Sequence, residues 1–324
     1  MNQPTKSLRI GIVGTGSMGR NHTRVAVANP LVECKGVFDP NEKTGIAVAT
    51  EYGCRYYDNF ENFLEAVDAI VIASPTVTHY DIAKQALMAG KHCLIEKPIT
   101  VEVSQAKELK QLAEDRNLII SVGHVERYNP VFPELQKILE NKEILGIKGN
   151  RLSYNTNRAN DVDVVLDLMI HDIDNVNKLV DEKLVVTGAV GGTFHSTSYD
   201  YVTSIISTNS GIVCDITASK ASQTKQRTLQ ISCSDCFIIV DFLRKEIEVN
   251  RHAQGSYISD SAEVKYKQEY LVERVLVPNV EPLMAEHTDF AESILNGTTP
   301  KVTAQDGIDA LELAIEVQGK CSAA

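Results

Sequence analysis

Two segments far apart in the chain carry side chains suited to proton transfer. Lys97 follows an apolar run that ends at Glu96, and His171 lies four residues after Asp167 in a segment with helical apolar spacing. Residues four apart on a helix share one face, so the Asp167 carboxylate is predicted to lie beside the His171 imidazole. A neighbouring carboxylate fixes the tautomer of an imidazole and increases its basicity, as a general base requires. We therefore predict that Lys97, Asp167 and His171 are catalytic.

Other interpretations of these residues stay open. A lysine after a strand is often only a surface charge, and the Asp167 and His171 pair also suits the polar face of a surface helix. Asp163 lies on the same predicted face, so a metal site of Asp163, Asp167 and His171 is a third alternative. Because no further cluster of ligand residues accompanies these three, we predict no bound metal.

A glycine-rich motif near the N-terminus has the spacing of a dinucleotide-binding loop. It follows the apolar run 8–13 and consists of Gly14, Thr15, Gly16, Ser17, Met18 and Gly19. The first glycine of such a loop makes a tight turn, the second lets the backbone approach a pyrophosphate, and the third lets helix and strand pack closely. Asp39 ends the next apolar run, twenty residues beyond the last glycine, where it would accept hydrogen bonds from the adenine ribose. Its charge would repel a 2′-phosphate, so the motif favours NAD over NADP.

Residues after two later strands are expected to complete this cofactor site, because ligands of open α/β sheets bind at the carboxyl ends of the strands. The predicted contacts are Ser74, Thr76, His79, Glu96 and Lys97. His79 is equally compatible with a solvated residue at the start of a helix.

The elements that must position these residues follow two patterns. In the first 120 residues, short apolar runs such as 8–13 and 32–38 alternate with helical segments, as in a doubly wound parallel sheet. From about Gly149, long β-patterned runs follow one another without helices, and the last segments return to helix. The predicted class is α/β, with an N-terminal doubly wound (Rossmann) parallel sheet and a C-terminal α+β domain with a mostly antiparallel sheet. The predicted domains are residues 1–122 and 123–324, with the final helices packing back toward the first domain.

Composition argues against several partners and locations. The net charge of −11 makes the chain a poor candidate for nucleic acid or an anionic membrane surface. The polar start does not resemble a secretory signal, and no apolar run approaches the ~20 residues that span a bilayer. Seven scattered cysteines then predict reduced thiols in a cytoplasmic protein. The pair Cys233 and Cys236 lies between two β-rich runs, so we predict a hairpin turn there and no zinc or redox site.

Together, the glycine motif, Glu96-Lys97-Pro98 and Asp167-x-x-x-His171 resemble the Gfo/Idh/MocA oxidoreductases. The resemblance covers nearly the whole chain, up to the closing helix after Asp306-Gly307. It implies an NAD-dependent oxidoreductase in which Lys97 and His171 are catalytic and Asp167 assists. It also implies a homodimer or homotetramer built through the open face of the second sheet.

Within the family, residues 123–130 are similar to the branch that oxidises UDP-linked amino sugars. The expected reaction is oxidation of the 3-hydroxyl of UDP-N-acetylglucosamine or a related nucleotide sugar, with a sugar aminotransferase consuming the unstable 3-keto product. A free polyol such as myo-inositol is the alternative substrate. A non-catalytic NAD(P)-binding sensor is the alternative of another class.

A diphosphate in an acidic protein needs locally gathered cations, and a sugar needs hydrogen-bonding groups. The predicted substrate contacts are Arg127, Asn129, Tyr154, Arg158 and Lys220. Each of these side chains is also typical of a solvated surface, so that interpretation stays open for every one of them.

Overall fold

The computed structural model of the chain describes residues 7–154, 162–195, 197–252, 256–260, 263–267 and 270–323. These residues form two compact units. The first contains the described residues up to Tyr128 together with Val280–Glu312. The second contains Asn129–Asn279 and the residues from Leu313 onward.

The first unit is built on a parallel sheet. Its strands are β1 (Leu8–Val13), β2 (Val32–Phe38), β3 (Tyr56–Tyr57), β4 (Ala69–Ile72), β5 (His92–Glu96) and β6 (Ile120–Gly123). They are ordered β3-β2-β1-β4-β5-β6, and every neighbouring pair is parallel. The order reverses at β1, so the glycine motif that follows β1 lies at the topological switch point where ligands of such sheets bind. The predicted Rossmann sheet is confirmed.

Helices connect these strands and cover the sheet. They are α1 (Ser17–Ala28), α2 (Glu42–Tyr52), α3 (Phe60–Ala66), α4 (His79–Met88) and α5 (Val103–Asp115), with short 3-10 turns at Thr76–Thr78 and Val125–Tyr128. Strand β1 is almost entirely buried, as expected for a strand covered on both faces.

The segment 280–312 folds with the first unit. The predicted bounds place it within residues 123–324, and the same prediction has the final helices packing back toward the first domain. Its helix α8 (Pro282–Asn296) contributes Phe290 and Ala291 to the core that also holds Ile10 and Ile12 of β1. Periodicity identifies an amphipathic helix but does not say which core its apolar face will cover.

The second unit is built on a mixed sheet, with helices α6 (Val131–Leu139) and α7 (Ile170–Leu179). Its strands are β7 (Ile144–Leu152), β8 (Val185–Gly192), β9 (Tyr201–Ser207), β10 (Val213–Ser219), β11 (Gln226–Cys233), β12 (Phe237–Asp241), β13 (Glu246–His252), β16 (Tyr270–Arg274) and β17 (Cys321–Ala323). Strands β14 (Ser256–Asp260) and β15 (Glu263–Lys267) form a separate hairpin. Of the last helix, α9 (Ala304–Lys320), the residues from Leu313 onward belong to this unit. The order is β16-β13-β12-β11-β7-β10-β9-β8-β17. Only the β7–β10 and β8–β17 pairs among these described strands are parallel, so the predicted mostly antiparallel sheet is confirmed.

The Cys233 and Cys236 pair lies at the hairpin between β11 and β12. The Cys233 N–H donates to the Cys236 carbonyl at 2.9 Å, and both thiols are free. The predicted hairpin turn is therefore confirmed. Within the described ranges, the helices are too short or too polar to cross a bilayer.

Candidate active site

The glycine motif forms a loop that only glycine can build at two positions. Gly14 has φ of +88°, and a Cβ there would lie 2.8 Å from the Ala73 carbonyl carbon. A Cβ on Gly19 would lie 1.8 Å from the Gly14 carbonyl oxygen. These two glycines are therefore required by the chain itself, one by its turn and the other by close packing of helix against strand.

Gly16 is different, because neither its backbone nor its described surroundings require a glycine. Its φ is −67°, which any residue adopts, and a Cβ there would have no atom of the described residues within 4 Å. Gly16, Ser17 and Met18 are exposed, and Gly16 provides no side-chain cap for α1. The loop thus leaves open space in front of uncapped helix N–H groups, which is the cradle a pyrophosphate needs. The residues present fit a dinucleotide.

Asp39 is fixed against this loop. Its Oδ2 accepts from both the backbone N–H and the hydroxyl of Thr15, each at 2.7 Å, and its Oδ1 accepts from the Asn41 N–H at 2.8 Å. The carboxylate is half-buried and has lone pairs left for further donors. The structure therefore brings Asp39 and the glycine motif together.

His79 joins the loops that follow β4 and β5. Its Nδ1 lies 2.9 Å from the Pro98 carbonyl oxygen and its Nε2 lies 3.0 Å from the Ser74 carbonyl oxygen. Burial lowers the pKa of His79, against the effect of these carbonyl contacts. The residue is buried, so the solvated alternative is wrong. Ser74 Oγ contacts Thr78 Oγ1 at 2.7 Å, and Thr76 is buried. Ser74 and His79, both predicted cofactor contacts, are therefore joined by hydrogen bonds in the loop after β4.

Lys97 lies directly after β5, half-buried, with its neighbour Glu96 turned inward. Glu96 Oε2 accepts from the Lys97 backbone N–H at 3.1 Å, and Oε1 contacts His22 Nε2 at 2.9 Å. Burial by itself raises the pKa of Glu96, but the hydrogen bond from His22 and the charges of His22 and Lys97 lower it overall. Glu96, predicted as a cofactor contact, has both oxygens engaged by the protein.

In the second unit, Asp167 lies in a π-helical turn, Val165–Met169, that leads into α7. His171 belongs to the first turn of that helix. The sequence predicts an ordinary α-helix here, whereas the structure has a turn of a kind that is frequent at functional sites. Lys220, directly after β10, places its Nζ 3.0 Å from Asp167 Oδ2 and 3.4 Å from the Val162 carbonyl oxygen. The structure thus pairs a predicted substrate contact with a predicted catalytic carboxylate.

Asp163 caps the same turn. Its Oδ1 accepts from the Val165 and Leu166 N–H groups at 3.0 and 3.1 Å, and its Oδ2 accepts from Gln318 Nε2 at 2.9 Å. These contacts give Asp163 a structural role in place of the metal-ligand alternative. Among the residues that the structure describes, no three His, Cys, Asp or Glu side chains are grouped to hold a metal ion.

Asp172, the neighbour of His171, forms an ion pair that sequence reasoning missed. Arg151 of β7 donates to its two carboxylate oxygens at 3.0 and 2.8 Å, and both side chains are buried. This bidentate pair fixes the start of α7 to the centre of the sheet. No signal in the sequence singles out this pair, because β7 and α7 both carry several other polar residues.

The other predicted substrate contacts have varied surroundings. Arg127 is 1% exposed and donates to Asp306 Oδ1 at 3.4 Å, while Asn129 is buried and donates to the Phe242 carbonyl oxygen at 3.0 Å. Substrate contacts from Arg127 and Asn129 stay a prediction, and their burial argues against it. Tyr154 is 53% exposed. Arg158 lies outside the described residues.

A six-stranded doubly wound sheet with an open glycine loop at its switch point is the architecture of a dinucleotide-binding domain. Residues 8–124 match a family described as an oxidoreductase family with an NAD-binding Rossmann fold. The chain is 33% identical to the UDP-N-acetylglucosamine 3-dehydrogenase of Acidithiobacillus ferrooxidans over 249 residues, or 77% of this chain and 79% of that protein. The chain belongs to the Gfo/Idh/MocA oxidoreductase family.

Other comparisons agree with this placement. A solved structure of the Acidithiobacillus ferrooxidans enzyme superposes with a TM-score of 0.89 at 30% identity, covering 97% of both chains. The scyllo-inositol 2-dehydrogenase (NAD(+)) of Bacillus subtilis is 24% identical over 328 residues, covering 95% of this chain and 92% of that protein. A 3-ketoreductase from Actinomadura kijaniata shares the fold, with a TM-score of 0.84 at 18% identity over 98% of this chain and 99% of that one. The predicted family, cofactor and enzyme class are confirmed.

Proposed function

We propose that this protein oxidises the 3-hydroxyl of UDP-N-acetylglucosamine, or of a closely related nucleotide sugar, with NAD. The supporting observation is 33% identity over 77% of the chain to an enzyme named for that reaction. The TM-score of 0.89 to a structure of the same enzyme adds support at the level of the whole chain.

Bound NAD would be held by the glycine loop and Asp39, and it supplies the hydride acceptor. Nδ1 of His171 is buried, which leaves Nε2 as the nitrogen that takes the proton of the substrate hydroxyl. The Lys97 ammonium stabilises the negative charge that grows on that oxygen as the hydride leaves the carbon. The carboxylate of Asp167, four residues before His171, is held by its ion pair with Lys220.

The test of the substrate is a comparison of kcat/KM for UDP-N-acetylglucosamine, N-acetylglucosamine and myo-inositol, followed by the absorbance of the reduced nicotinamide. We expect the nucleotide sugar to be far the best substrate, because binding energy from the remote nucleotide contributes to the transition state. Mass and NMR spectra of the product should identify a ketone at the 3-position. Equal or better activity on either free compound would contradict the nucleotide-sugar assignment, and tight NAD binding without turnover of any sugar would favour a sensor.

The preference for NAD over NADP is proposed to depend on Asp39. Asp39→Ser removes the ribose acceptor and the repelling charge, so the preference should narrow by about tenfold, the scale of one charge-assisted hydrogen bond. Thr15→Val is the matched control, because it removes the hydroxyl donor to Asp39 and keeps the carboxylate. Coenzyme titrations should separate the two variants, and an unchanged preference in Asp39→Ser would remove Asp39 from the ribose site.

We also propose a homodimer or homotetramer in the cytoplasm. Large apolar side chains are exposed on neighbouring strands β8, β9 and β10, namely Val190, Ile205 and Val213. An exposed apolar patch of this kind is typical of a surface covered by a second copy. All seven cysteines are free thiols, which supports a reducing compartment. Light scattering gives the mass in solution, and a monomer would contradict the assembly.

The 3-keto sugar that the proposed reaction would form is reactive. This reactivity supports a sugar aminotransferase as the next enzyme.

A further inference from the structure

A chain of hydrogen bonds runs through the interior of the first unit and ends at Lys97. His287 Nε2 of α8 lies 2.8 Å from His22 Nδ1 of α1, and His22 Nε2 lies 2.9 Å from Glu96 Oε1 at the end of β5. The two histidines are 0% exposed and Glu96 is 7% exposed. Three elements far apart in sequence therefore meet in one buried polar contact.

The ionisation states of Glu96 and His287 follow from their surroundings. The pKa of Glu96 is lowered overall, so its carboxylate accepts from the His22 Nε2–H. Burial, together with the charge of His22, places the pKa of His287 well below its ordinary value, so that ring is neutral. The Nδ1 atom of His287 is buried, with no hydrogen-bond partner among the residues that the structure describes.

The other oxygen of Glu96 connects this chain to the reactive residue. Glu96 Oε2 accepts from the backbone N–H of Lys97 at 3.1 Å. Gly123, which pairs with Glu96 in the sheet, makes room for the carboxylate, since a Cβ there would lie 3.1 Å from Oε2. The position of the Lys97 backbone therefore depends on where the carboxylate is held.

We propose that His22 is a positioning residue, which acts through Glu96 to fix Lys97 for the reaction. His22 lies three residues after Gly19, on the helix that begins at the dinucleotide loop. One imidazole thus ties the cofactor-binding helix to the turn that bears Lys97. The inference rests on the proposed function only in treating Lys97 as the group that stabilises the alkoxide.

The decisive experiment compares His22→Gln with His22→Asn. A Gln amide nitrogen reaches about as far as Nε2 of histidine and can still donate to Glu96, whereas an Asn amide reaches only about as far as Nδ1. We expect His22→Gln to keep kcat within about threefold and His22→Asn to lose about 10- to 100-fold, as for a small displacement of a catalytic group. Both variants should bind NADH within about threefold of the wild type.

A double-mutant cycle distinguishes positioning from simple loss of structure. In a Lys97→Ala background, His22→Asn should lower kcat no further, because its effect passes through Lys97. Equal losses of kcat in both His22 variants, in parallel with their melting temperatures, would overturn the proposal. So would full activity in His22→Asn, or an undiminished effect of His22→Asn in the Lys97→Ala background.

A second measurement needs no substrate and separates this inference from the proposed function. The Lys97 amide should exchange its hydrogen with solvent faster in His22→Asn than in the wild type, and at the wild-type rate in His22→Gln. Absence of sugar oxidation by the wild-type enzyme would refute the proposed function and leave this comparison intact. Equal exchange rates in the two variants would refute the positioning role, whatever the substrate.

Discussion

The two segments that carry the predicted catalytic residues are held in different ways. The Lys97 turn is fixed by a buried chain of hydrogen bonds from His287 through His22 to Glu96. Asp167 is held by an ion pair with Lys220, and these two side chains are 20% and 15% exposed. Salt ions reach and screen the second arrangement but not the first. Separate variants can therefore change the hydrogen bonds at the Lys97 turn and the ion pair at Asp167.

The same buried region of the first unit also contains two carboxyl groups with opposite behaviour. Glu96 is ionised because His22 and Lys97 are near, despite its burial. Burial raises the pKa of Glu286 well above its ordinary value, and the charges of Glu96 and Asp289 act in the same direction. Both oxygens of Glu286 are buried, with no hydrogen-bond partner in the described part of the chain. Proximity to a cationic or hydrogen-bonding partner, and not burial alone, decides which carboxyl is charged.

The largest expected effect is the loss of turnover when either of the two segments loses its predicted catalytic side chain. Lys97→Ala and His171→Ala should each lower kcat by about 10²- to 10⁴-fold, the range of acid–base catalysis. Binding of NADH and the melting temperature should stay close to wild type in both. Steady-state kinetics with NADH titration checks this, and a Lys97→Ala enzyme with near-native kcat would remove that residue from the chemistry.

A smaller effect should distinguish the ion pair from the hydrogen-bonded chain. Lys220→Met removes the partner of Asp167 and should lower kcat/KM about tenfold, whereas Lys220→Arg keeps the charge and most of the activity. The wild-type rate should fall as ionic strength rises, and this salt dependence should weaken in Lys220→Met. Kinetics at several salt concentrations measure both effects. Equal salt dependence in the two enzymes would contradict a role for this pair.

The smallest effect on rate, and a clear one on stability, is expected for Glu286→Gln. The pKa of Glu286 in the folded state lies well above 4.5, its ordinary value, which applies in the unfolded chain. The folded state therefore binds this proton more tightly than the unfolded chain does. The stability from this group is thus fully present below that pH and is lost as pH rises toward the raised pKa. Glutamine does not titrate, so the variant should gain in free energy of unfolding over the wild type by up to ~1.4 kcal/mol per pH unit.

Urea unfolding at pH 5, 6, 7 and 8 tests this expectation. Asp289→Asn serves as a control, because it removes a neighbouring charge that raises the pKa of Glu286 while leaving the carboxyl in place. A stability difference between Glu286→Gln and wild type that stays constant across the series would show that Glu286 is charged in the folded protein.

The hydrophobic pattern and the glycine spacing predict the elements that depend only on neighbouring residues in the sequence. Strand β1, strand β2 and the glycine loop follow from contiguous residues, and the structure has the strands at the predicted bounds. The contact between His22 and His287 joins residues 265 apart, and no periodicity records it. Arg151 likewise reads as an ordinary strand residue until the fold brings Asp172 against it. Buried polar partners depend on tertiary packing, and for that reason they were missed.

The π-helical turn at Val165–Met169 shows another limit. Apolar spacing gives the face of a helix, but a π-helical stretch of five residues is too short to be recognised from that spacing. The burial of Arg127 is a further feature that the sequence does not indicate. A charged residue gives no sign that a carboxylate such as Asp306 will bind it in the interior. The sequence gives the charge of a side chain but not its burial, so the substrate contact of Arg127 stays a prediction.

The three glycines of the loop are expected to differ in how freely evolution can substitute them. Gly14 and Gly19 are demanded by the backbone, so any descendant that keeps this fold is constrained to keep them, whatever it does. Gly16 is demanded only by what approaches the loop from outside, since the chain itself would tolerate a side chain there. A descendant that abandoned its dinucleotide would be released at position 16 first. That position therefore serves as a marker, in any lineage sharing this fold, of whether the cofactor is still under selection.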